Sequence, residues 1–531
     1  MLMYVWLAAM AAAVWLYCRQ IYSRFSKAGV KHFKPLPIVG NMLKILLRMD
    51  HFTDNIESLY FAYPDEKFVG RYEFINPMVM IKDVDLLKKI TVKDFEHFID
   101  HRTLVNEKTD PFFGRNLFSL KGDEWKDMRS TLSPAFTSSK MKLMLPFMVE
   151  VGNQMVDSLK KKIKESNATH IEIDAKDLTT RYANDVIASC AFGLKVDSQT
   201  DTENHFYVMG KNTTAFNFRQ ILTFFALANF PKIMDKFKVT LFTENTRQFF
   251  QHLVMDTMNE RELKKIIRPD MIHLLMEAKK GRLTHDDKAS HDPDAGFATV
   301  EESNIGKKNI NREWSDDDLT AQAFLFFFAG FETVSSAMSF ALYELAVNPD
   351  VQEKFLEEIK EADAKNGGKF DYNSIQNMTY MDMVVSEVLR LWPPGIAMDR
   401  ICVKDYNLGK PNDKATSDYI IRKGESIMIP AWAIHHDPKF FPNPMKFDPE
   451  RFSEENKHNM DVTAYMPFGV GPRNCIGSRF ALCEVKVMLY QLLLHMEISP
   501  SPRTSIPAQL SKETFNVRIK GGHWLNFRSR T

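Results

Sequence analysis

The residues with the clearest chemical potential lie in Phe468-Gly469-Val470-Gly471-Pro472-Arg473-Asn474-Cys475-Ile476-Gly477, where one cysteine and one arginine sit among three glycines. Glycine tolerates unusual backbone angles, so this run can bring its backbone close to a flat object and turn N–H groups toward a sulfur. A helical pattern starts directly afterwards, which puts Cys475 near a helix N-terminus, where the macrodipole favours a thiolate. Arg473 stands two residues earlier and suits an anion. Neither a C-x-x-C pair nor a neighbouring histidine supplies further ligands, so zinc does not fit. By residue type alone, a buried and inert cysteine is the commoner outcome.

A second constellation is Ala329-Gly330-Phe331-Glu332-Thr333, centred in a helical pattern running from Asp316 to about Val347. A glycine inside a helix costs about 1 kcal/mol relative to alanine, so Gly330 asks for a reason. Two are available: a tight helix crossing, with Thr333 bonding back to its own i−4 carbonyl, or a groove opened beside an acid–alcohol step. Trp125 and Arg129 share a helix face at spacing i, i+4, and Glu387 and Arg390 share one at i, i+3. Arg400 follows in Ile396-Ala397-Met398-Asp399-Arg400, and Arg451 stands in Pro449-Glu450-Arg451-Phe452.

The cysteine run matches F-x-x-G-x-R-x-C-x-G at every fixed position and so resembles the haem-binding loop of the cytochrome P450 family. A-G-x-[DE]-T, E-x-x-R, P-E-R-F and W-x-x-x-R are also present, in the family's order. The resemblance implies haem b, with Cys475 as the axial thiolate that pushes electron density to the iron. It casts Thr333 as the hydrogen-bond partner of dioxygen, Glu332 as a proton relay, and Gly330 as room beside the haem. Arg473, Trp125, Arg129 and Arg400 would bind the haem propionates, with Phe468 also counted among the cofactor-binding residues and Arg102 a weaker addition. Arginine's planar fork suits a carboxylate. Glu387, Arg390 and Arg451 would lock the core behind the cysteine loop.

These residues need elements to hold them. Ser315 and the acids Asp316, Asp317 and Asp318 mark the start of the long helix, and Asn348-Pro349 its end. Further helices are expected at 124–132, 351–362, 381–391 and 478–496, and strands at 67–71, 78–82, 419–421 and 426–429. Residues 281–312 read as a polar loop. The fold class is mainly α with a minor β region, the cytochrome P450 fold. At roughly 150 residues per domain, 531 residues would make three or four domains, yet the motifs converge on one haem. One large haem domain over 41–531 is therefore expected, behind a transmembrane anchor at 1–18 and a basic, proline-containing linker at 19–40.

Residues 1–18 carry no charge, and Arg19, Arg24, Lys27, Lys31 and Lys34 follow without an acid among them. That asymmetry favours a single-pass anchor in the endoplasmic reticulum membrane with the remaining chain cytosolic. A signal peptide would begin with a basic region, which is absent. N-x-Thr triplets at Asn167, Asn212 and Asn377 are then expected to stay unglycosylated. The net charge of +1 excludes a nucleic-acid binder, and a mean hydropathy of −0.28 excludes a multi-span membrane protein. Five cysteines are too few for a disulfide framework.

The expected activity is that of a haem-thiolate monooxygenase. It would use O2 and NADPH-derived electrons delivered by NADPH–cytochrome P450 reductase, with cytochrome b5 a further candidate donor. The sequence contexts resemble the drug-metabolising animal clan and, within it, the insect family numbered nine. Small apolar xenobiotics such as plant toxins or insecticides are the expected substrates, with endogenous lipids, steroids or hormones as the alternative. The intact Glu332-Thr333 step argues against a haem-thiolate isomerase; a haem sensor without turnover is a further class. Pocket residues would come from Phe324, Phe328, Ala329, Ile396, Ala397, Met398 and Phe515. Residues 111–118 and 216–230 would form the roof, the latter also meeting lipid. Lys126, Lys140 and Lys142 are the expected reductase contacts.

Overall fold

The architecture is built around the helix Asp316–Val347, which has 32 residues. Ser315 Oγ accepts from Asp318 N at 3.2 Å, and the Asp318 carboxylate accepts from Ser315 N at 2.9 Å, closing a capping box. Asn348 ends the helix and Pro349 begins the next one, Pro349–Lys365. Apolar residues surround its axis, and Phe324, Phe327, Met338, Phe340, Leu342 and Leu345 are fully buried. Burial on all sides makes it the axle of the core rather than a surface helix. Ala175–Ile187 crosses its middle, and Ser478–His495 also packs on it.

The computed structural model describes residues 1–103, 105, 107, 110–214, 218–280, 297–299 and 314–530. The stretch 281–312, expected as a polar loop, lies outside them except for 297–299. Among the described residues, nine strands form three small sheets amid many helices, so the fold is mainly α. In the largest sheet, β1 (Phe68–Glu73) and β2 (Asn76–Ile81) make a hairpin. The other sheets use β3 (Ile171–Asp174), β5 (Tyr406–Asn407), β6 (Ile420–Ile421), β8 (Met496–Pro500) and β9 (Trp524–Ser529). The largest sheet is completed by β4 (Met398–Ile401) and β7 (Ser426–Ile429), in the order β1-β2-β7-β4. Register places Arg400 opposite Ile427, inside the sheet.

The N-terminal helix departs from expectation. It runs unbroken over Leu2–Lys27, so residues 19–27 of the expected linker are helical. Arginine and lysine are good helix formers, and the first charge is no reason for a helix to end. Its first part is exposed, with Trp6 at 65% and Leu16 at 57%, whereas Phe25 is fully buried. Phe25 lies on Gly70 of β1, where an added Cβ would come within 2.4 Å of its ring. Arg24 Nε donates to Glu425 at 2.5 Å. Among the described residues, two helices are long and apolar enough to cross a membrane, and burial separates them: 67% for the most apolar stretch of Asp316–Val347, 6% for that of Leu2–Lys27.

The connector behaves as a turn. Gly40 has φ +63°, and a Cβ there would approach Tyr72 O to 2.5 Å, so no larger residue fits. Among the elements the sequence reading missed, Ser138–Ser166 and Glu244–Lys264 are long helices. The first carries Pro146 inside it, a residue that argues locally for a break.

Candidate active site

The cysteine loop is shaped by its glycines. Gly469 and Gly471 have φ of +80° and +72°. A Cβ on Gly471 would meet Thr91 O at 2.0 Å, and one on Gly469 would meet Met398 Sδ at 3.0 Å. Cys475 N donates to Phe468 O at 2.8 Å, which closes the loop three residues before the helix Ser478–His495. Pro472, Arg473 and Asn474 are buried, yet Cys475 is exposed. The backbone thus holds the thiol outward from a fixed platform.

Around the loop the structure gathers buried cations. The Arg473 guanidinium lies 4.1 Å from the centre of the Trp125 ring and donates to the carbonyls of Ile99, Leu117 and Leu120 at 2.8, 3.2 and 2.7 Å. Arg129 grips Asn474 by its carbonyl and its amide oxygen, both at 2.8 Å. Arg400 is buried and donates to Asp399 O at 2.6 Å. Burial, then Arg400, pushes Arg473 down to about 8, and burial pushes Arg400 down to about 10. The nearby carboxylates are Asp100, 3.5 Å from Arg473, and Asp399, already engaged by His101 at 3.1 Å and Arg102 at 3.6 Å. Burial opposes the charge on Asp399, but His101 and Arg102 hold its carboxyl well below the usual range. A buried cluster with this excess of positive charge has strong affinity for an anion. Its chemistry fits the carboxylates of a planar cofactor set against the Cys475 thiol.

The central helix supplies the other wall. Ala329 and Thr333 are exposed on a helix that is otherwise largely buried. Thr333 Oγ1 donates to Ala329 O at 2.6 Å, the i−4 bond anticipated for a helical threonine.

A model of the family described as Cytochrome P450 matches residues 30–525. The chain belongs to the cytochrome P450 family. It is 45% identical to Cytochrome P450 9e2 of Blattella germanica, covering 96% of this chain and 94% of that relative. It is 44% identical to Probable cytochrome P450 9f2 of Drosophila melanogaster, covering 95% of each, and 40% identical to Cytochrome P450 9b1 of the same fly, covering 96% and 95%. These relatives agree with a place in the insect family numbered nine. P450 enzymes are haem-thiolate monooxygenases, so the cofactor the cation cluster suits is haem.

Within this P450 fold, the tight-crossing reading of Gly330 gains support, since a Cβ there would lie 3.1 Å from Ile187 Cδ1 at the crossing with Ala175–Ile187; this does not conflict with room beside the haem. Glu332 does not reach Thr333. Its carboxylate accepts from Arg518 Nη2 at 2.9 Å on both oxygens and from Nε at 3.1 Å, and Lys176 Nζ stands 3.4 Å away. Arg102 is bound to Glu73 at 2.6 Å and meets the cluster through Asp399, to which its backbone N donates at 2.7 Å; His101 lies there too, stacked on Phe118 at 4.3 Å. Burial, then Arg400, brings His101 down to about 4, which keeps it neutral. No local spacing in the sequence marks His101, Lys176 or Arg518 as belonging to this site.

Behind the loop, Glu387 and Arg390 are fully buried and paired by two bonds of 2.7 and 2.9 Å. Arg451 and the backbone of Asp448 complete the Glu387 shell at 3.3 and 2.9 Å. Arg390 also donates to His435 O and Pro444 O. Of the expected pocket residues, Phe328, Ala397, Met398 and Phe515 are half-buried and Ala329 is exposed. Phe324 and Ile396 are buried in the core instead; Phe324 packs on Phe112 at 4.1 Å. Residues 215–217, part of the expected roof, lie outside the described residues, and Phe218–Asn229 forms the helix that follows.

Proposed function

We propose that this P450 oxidises small apolar xenobiotics, plant toxins or insecticides among them, with Cys475 as the thiolate ligand of haem b. The observation that carries the substrate class is the apolar character of the partly accessible side chains proposed to line the pocket. Phe328, Ala329, Ala397, Met398 and Phe515 offer it apolar surface, while Glu332, Asp399 and Arg400 are turned into ion pairs or buried bonds. An apolar molecule loses water on both sides there without stranding a charge. Trp125, Arg129, Arg400 and Arg473 would hold the propionates, and Phe468 O fixes the cysteine backbone.

The bound haem would supply dioxygen binding and electron transfer. One substrate C–H, one dioxygen, two electrons and two protons give one alcohol and one water. Thr333 is exposed, and its Oγ1, which donates to Ala329 O, would hold a proton beside the substrate. NADPH–cytochrome P450 reductase is the proposed electron donor, with cytochrome b5 a second one. Lys140 and Lys142, near the start of the helix Ser138–Ser166, are the proposed reductase contacts. Lys126 is paired with Glu96 at 3.0 Å and is the weaker contact. The reading includes one haem domain from residue 41 onward, a membrane anchor at 1–18, and a cytosolic site on the endoplasmic reticulum. A hydrophobic core running from Phe25 to Phe527 supports a single domain, and Phe25 and Val30 within it carry that domain back into the linker.

Two measurements test this together. Cys475→Ala should abolish the thiolate-type absorption band of the reduced CO complex; a persisting band removes Cys475 as ligand. A spectral binding screen over plant toxins, insecticides, fatty acids and steroids should favour the first two classes. Preferential binding of steroids or fatty acids would overturn the xenobiotic assignment.

A further inference from the structure

The last turns of the N-terminal helix Leu2–Lys27 reach beyond the core they close. Cys18, Tyr22 and Phe25 recur at helical spacing and so share one face. Cys18 and Phe25 are buried and Tyr22 is half-buried. The Tyr22 ring packs edge-on against Tyr72 of β1 at 4.9 Å, and its hydroxyl donates to Phe74 O at 3.1 Å. Phe74 and Ile75 make the turn between β1 and β2. The connector lies on the same turn, since a Cβ on Gly40 would come within 2.5 Å of Phe74 O.

A second element grips this turn. The Phe74 ring meets the Phe230 ring edge-on at 5.5 Å, and Asn76 Nδ2 donates to Asn229 O at 3.1 Å and to Asn229 Oδ1 at 3.0 Å. Asn229 ends the helix Phe218–Asn229, and Pro231 begins the helix Pro231–Lys236. Ile221 and Phe225 of the first helix join Met42 and Phe74 in a small apolar cluster. Phe74 has φ +53°, a conformation that bulky residues rarely adopt and that persists only where the surroundings enforce it. Its carbonyl is held by the N-terminal helix and its ring by Phe230, so one strained residue joins two elements far apart in sequence.

We propose that Phe74 is a positioning residue through which the membrane anchor sets the placement of Phe218–Asn229, so that seating in a bilayer steadies this helix and slows the entry of apolar ligands past it. This inference rests on the anchor and roof reading above. Both linked elements carry exposed apolar side chains beside the turn, Leu36 and Ile38 on the connector and Ile233 and Phe237 after Phe230, which suits a lipid surface as the partner. Packed rings and hydrogen bonds in unbroken contact are the physical means by which two such elements share one equilibrium. The linkage is reciprocal, so a ligand that displaces Phe218–Asn229 also loosens Tyr22 from Phe74.

The test compares the full-length haem protein in phosphatidylcholine nanodiscs and in detergent. Amide exchange across residues 218–236 is one readout, and the absorbance change on mixing with phenylimidazole is the other. In the parent, nanodiscs should slow exchange across this stretch by at least about fivefold relative to detergent. Phe74→Gly suits the left-handed turn and removes the ring, so its melting temperature should hold while the nanodisc effect falls below about twofold. Phenylimidazole should then bind faster in nanodiscs than it does to the parent. Tyr22→Phe, which keeps the ring on Tyr72 and loses the bond to Phe74 O, should move both readouts in the same direction. A nanodisc effect as large in Phe74→Gly as in the parent would mean that the helix answers to lipid directly, and would overturn the proposal. Equal exchange of the parent in the two media would overturn it as well. A full-length parent that fails to float with liposomes would instead overturn the anchor reading from which it starts.

Discussion

At the scale of single residues, this P450 concentrates its oddities around one sulfur. Arg400 and Arg473 are buried beside Asp100 and an Asp399 already shared with Arg102, so their positive charge is not fully balanced, which is costly until an anion arrives. Removing one guanidinium should therefore act oppositely on the two states. Arg400→Met should weaken haem retention by roughly 10- to 100-fold, the worth of about one charged hydrogen bond, and raise the melting temperature of the haem-free protein. Haem transfer to apomyoglobin and thermal melting check the two halves; unaltered retention would remove Arg400 from the cofactor site. Glu387 and Arg390 are the contrasting case, since their charges satisfy one another.

At the scale of elements, the N-terminal helix does two jobs along one axis. Its exposed first part is the apolar stretch, and its last turns belong to the core through Phe25 and Arg24. Deleting residues 1–18 should thus release the protein from membranes with its fold intact. Phe25→Ala should cost about 3–5 kcal/mol, because it empties a packed site against β1. Chemical unfolding of the truncated protein with and without Phe25→Ala measures the difference, and a cost below about 1 kcal/mol would contradict the docking. The long central helix was legible because it repeats apolar residues around its axis and carries a capping box. Ser138–Ser166 was not, because its Pro146 is tolerated only by the surrounding packing.

At the scale of the whole molecule, acidity and topology both leave measurable traces. His435 is fully buried, with Nδ1 donating to Arg390 O at 3.2 Å and Nε2 accepting from Met466 N at 2.9 Å, so it joins the Glu387–Arg390 helix to the start of the cysteine loop. Burial, then Arg390, drives its pKa well below 6.5. The neutral ring stabilises the fold fully above the unfolded value near 6.5, and that stability is lost as pH falls below it toward the folded value. Glu344, pushed up to about 7 by burial, acts the other way: its contribution is present at low pH and lost as pH rises through 7. Comparison with His435→Asn isolates the histidine. The variant should be less stable at pH 8 yet lose less between pH 6.5 and 5, by up to about 1.4 kcal/mol per pH unit. Parallel melting curves would show that His435 does not titrate this way. Asn167, Asn212 and Asn377 are all exposed, so geometry permits glycosylation, and the proposed cytosolic location predicts none. Microsomal protein should keep its mass after endoglycosidase treatment; a loss of mass would place the domain in the lumen.

The sequence by itself determined the cofactor chemistry through its resemblance to the family's motifs. Cys475, its glycines, Arg473 and the W-x-x-x-R and E-x-x-R pairs stand at the short spacings those motifs require, and short spacing survives in a linear string. Composition likewise settled the α-rich class and the apolar N-terminal helix. Only the tertiary structure decided what each polar group does with its partners. Glu332 meets Arg518 across 186 residues and Arg129 meets Asn474 across 345, separations that leave no local pattern. The same holds for Gly330, whose neighbour Ile187 stands on another helix, and for His101, which shares the arginine cluster only because strand and loop converge. Spacing within one helix turn is set by backbone geometry, whereas the partner of a buried charge is set by which distant elements the core brings together.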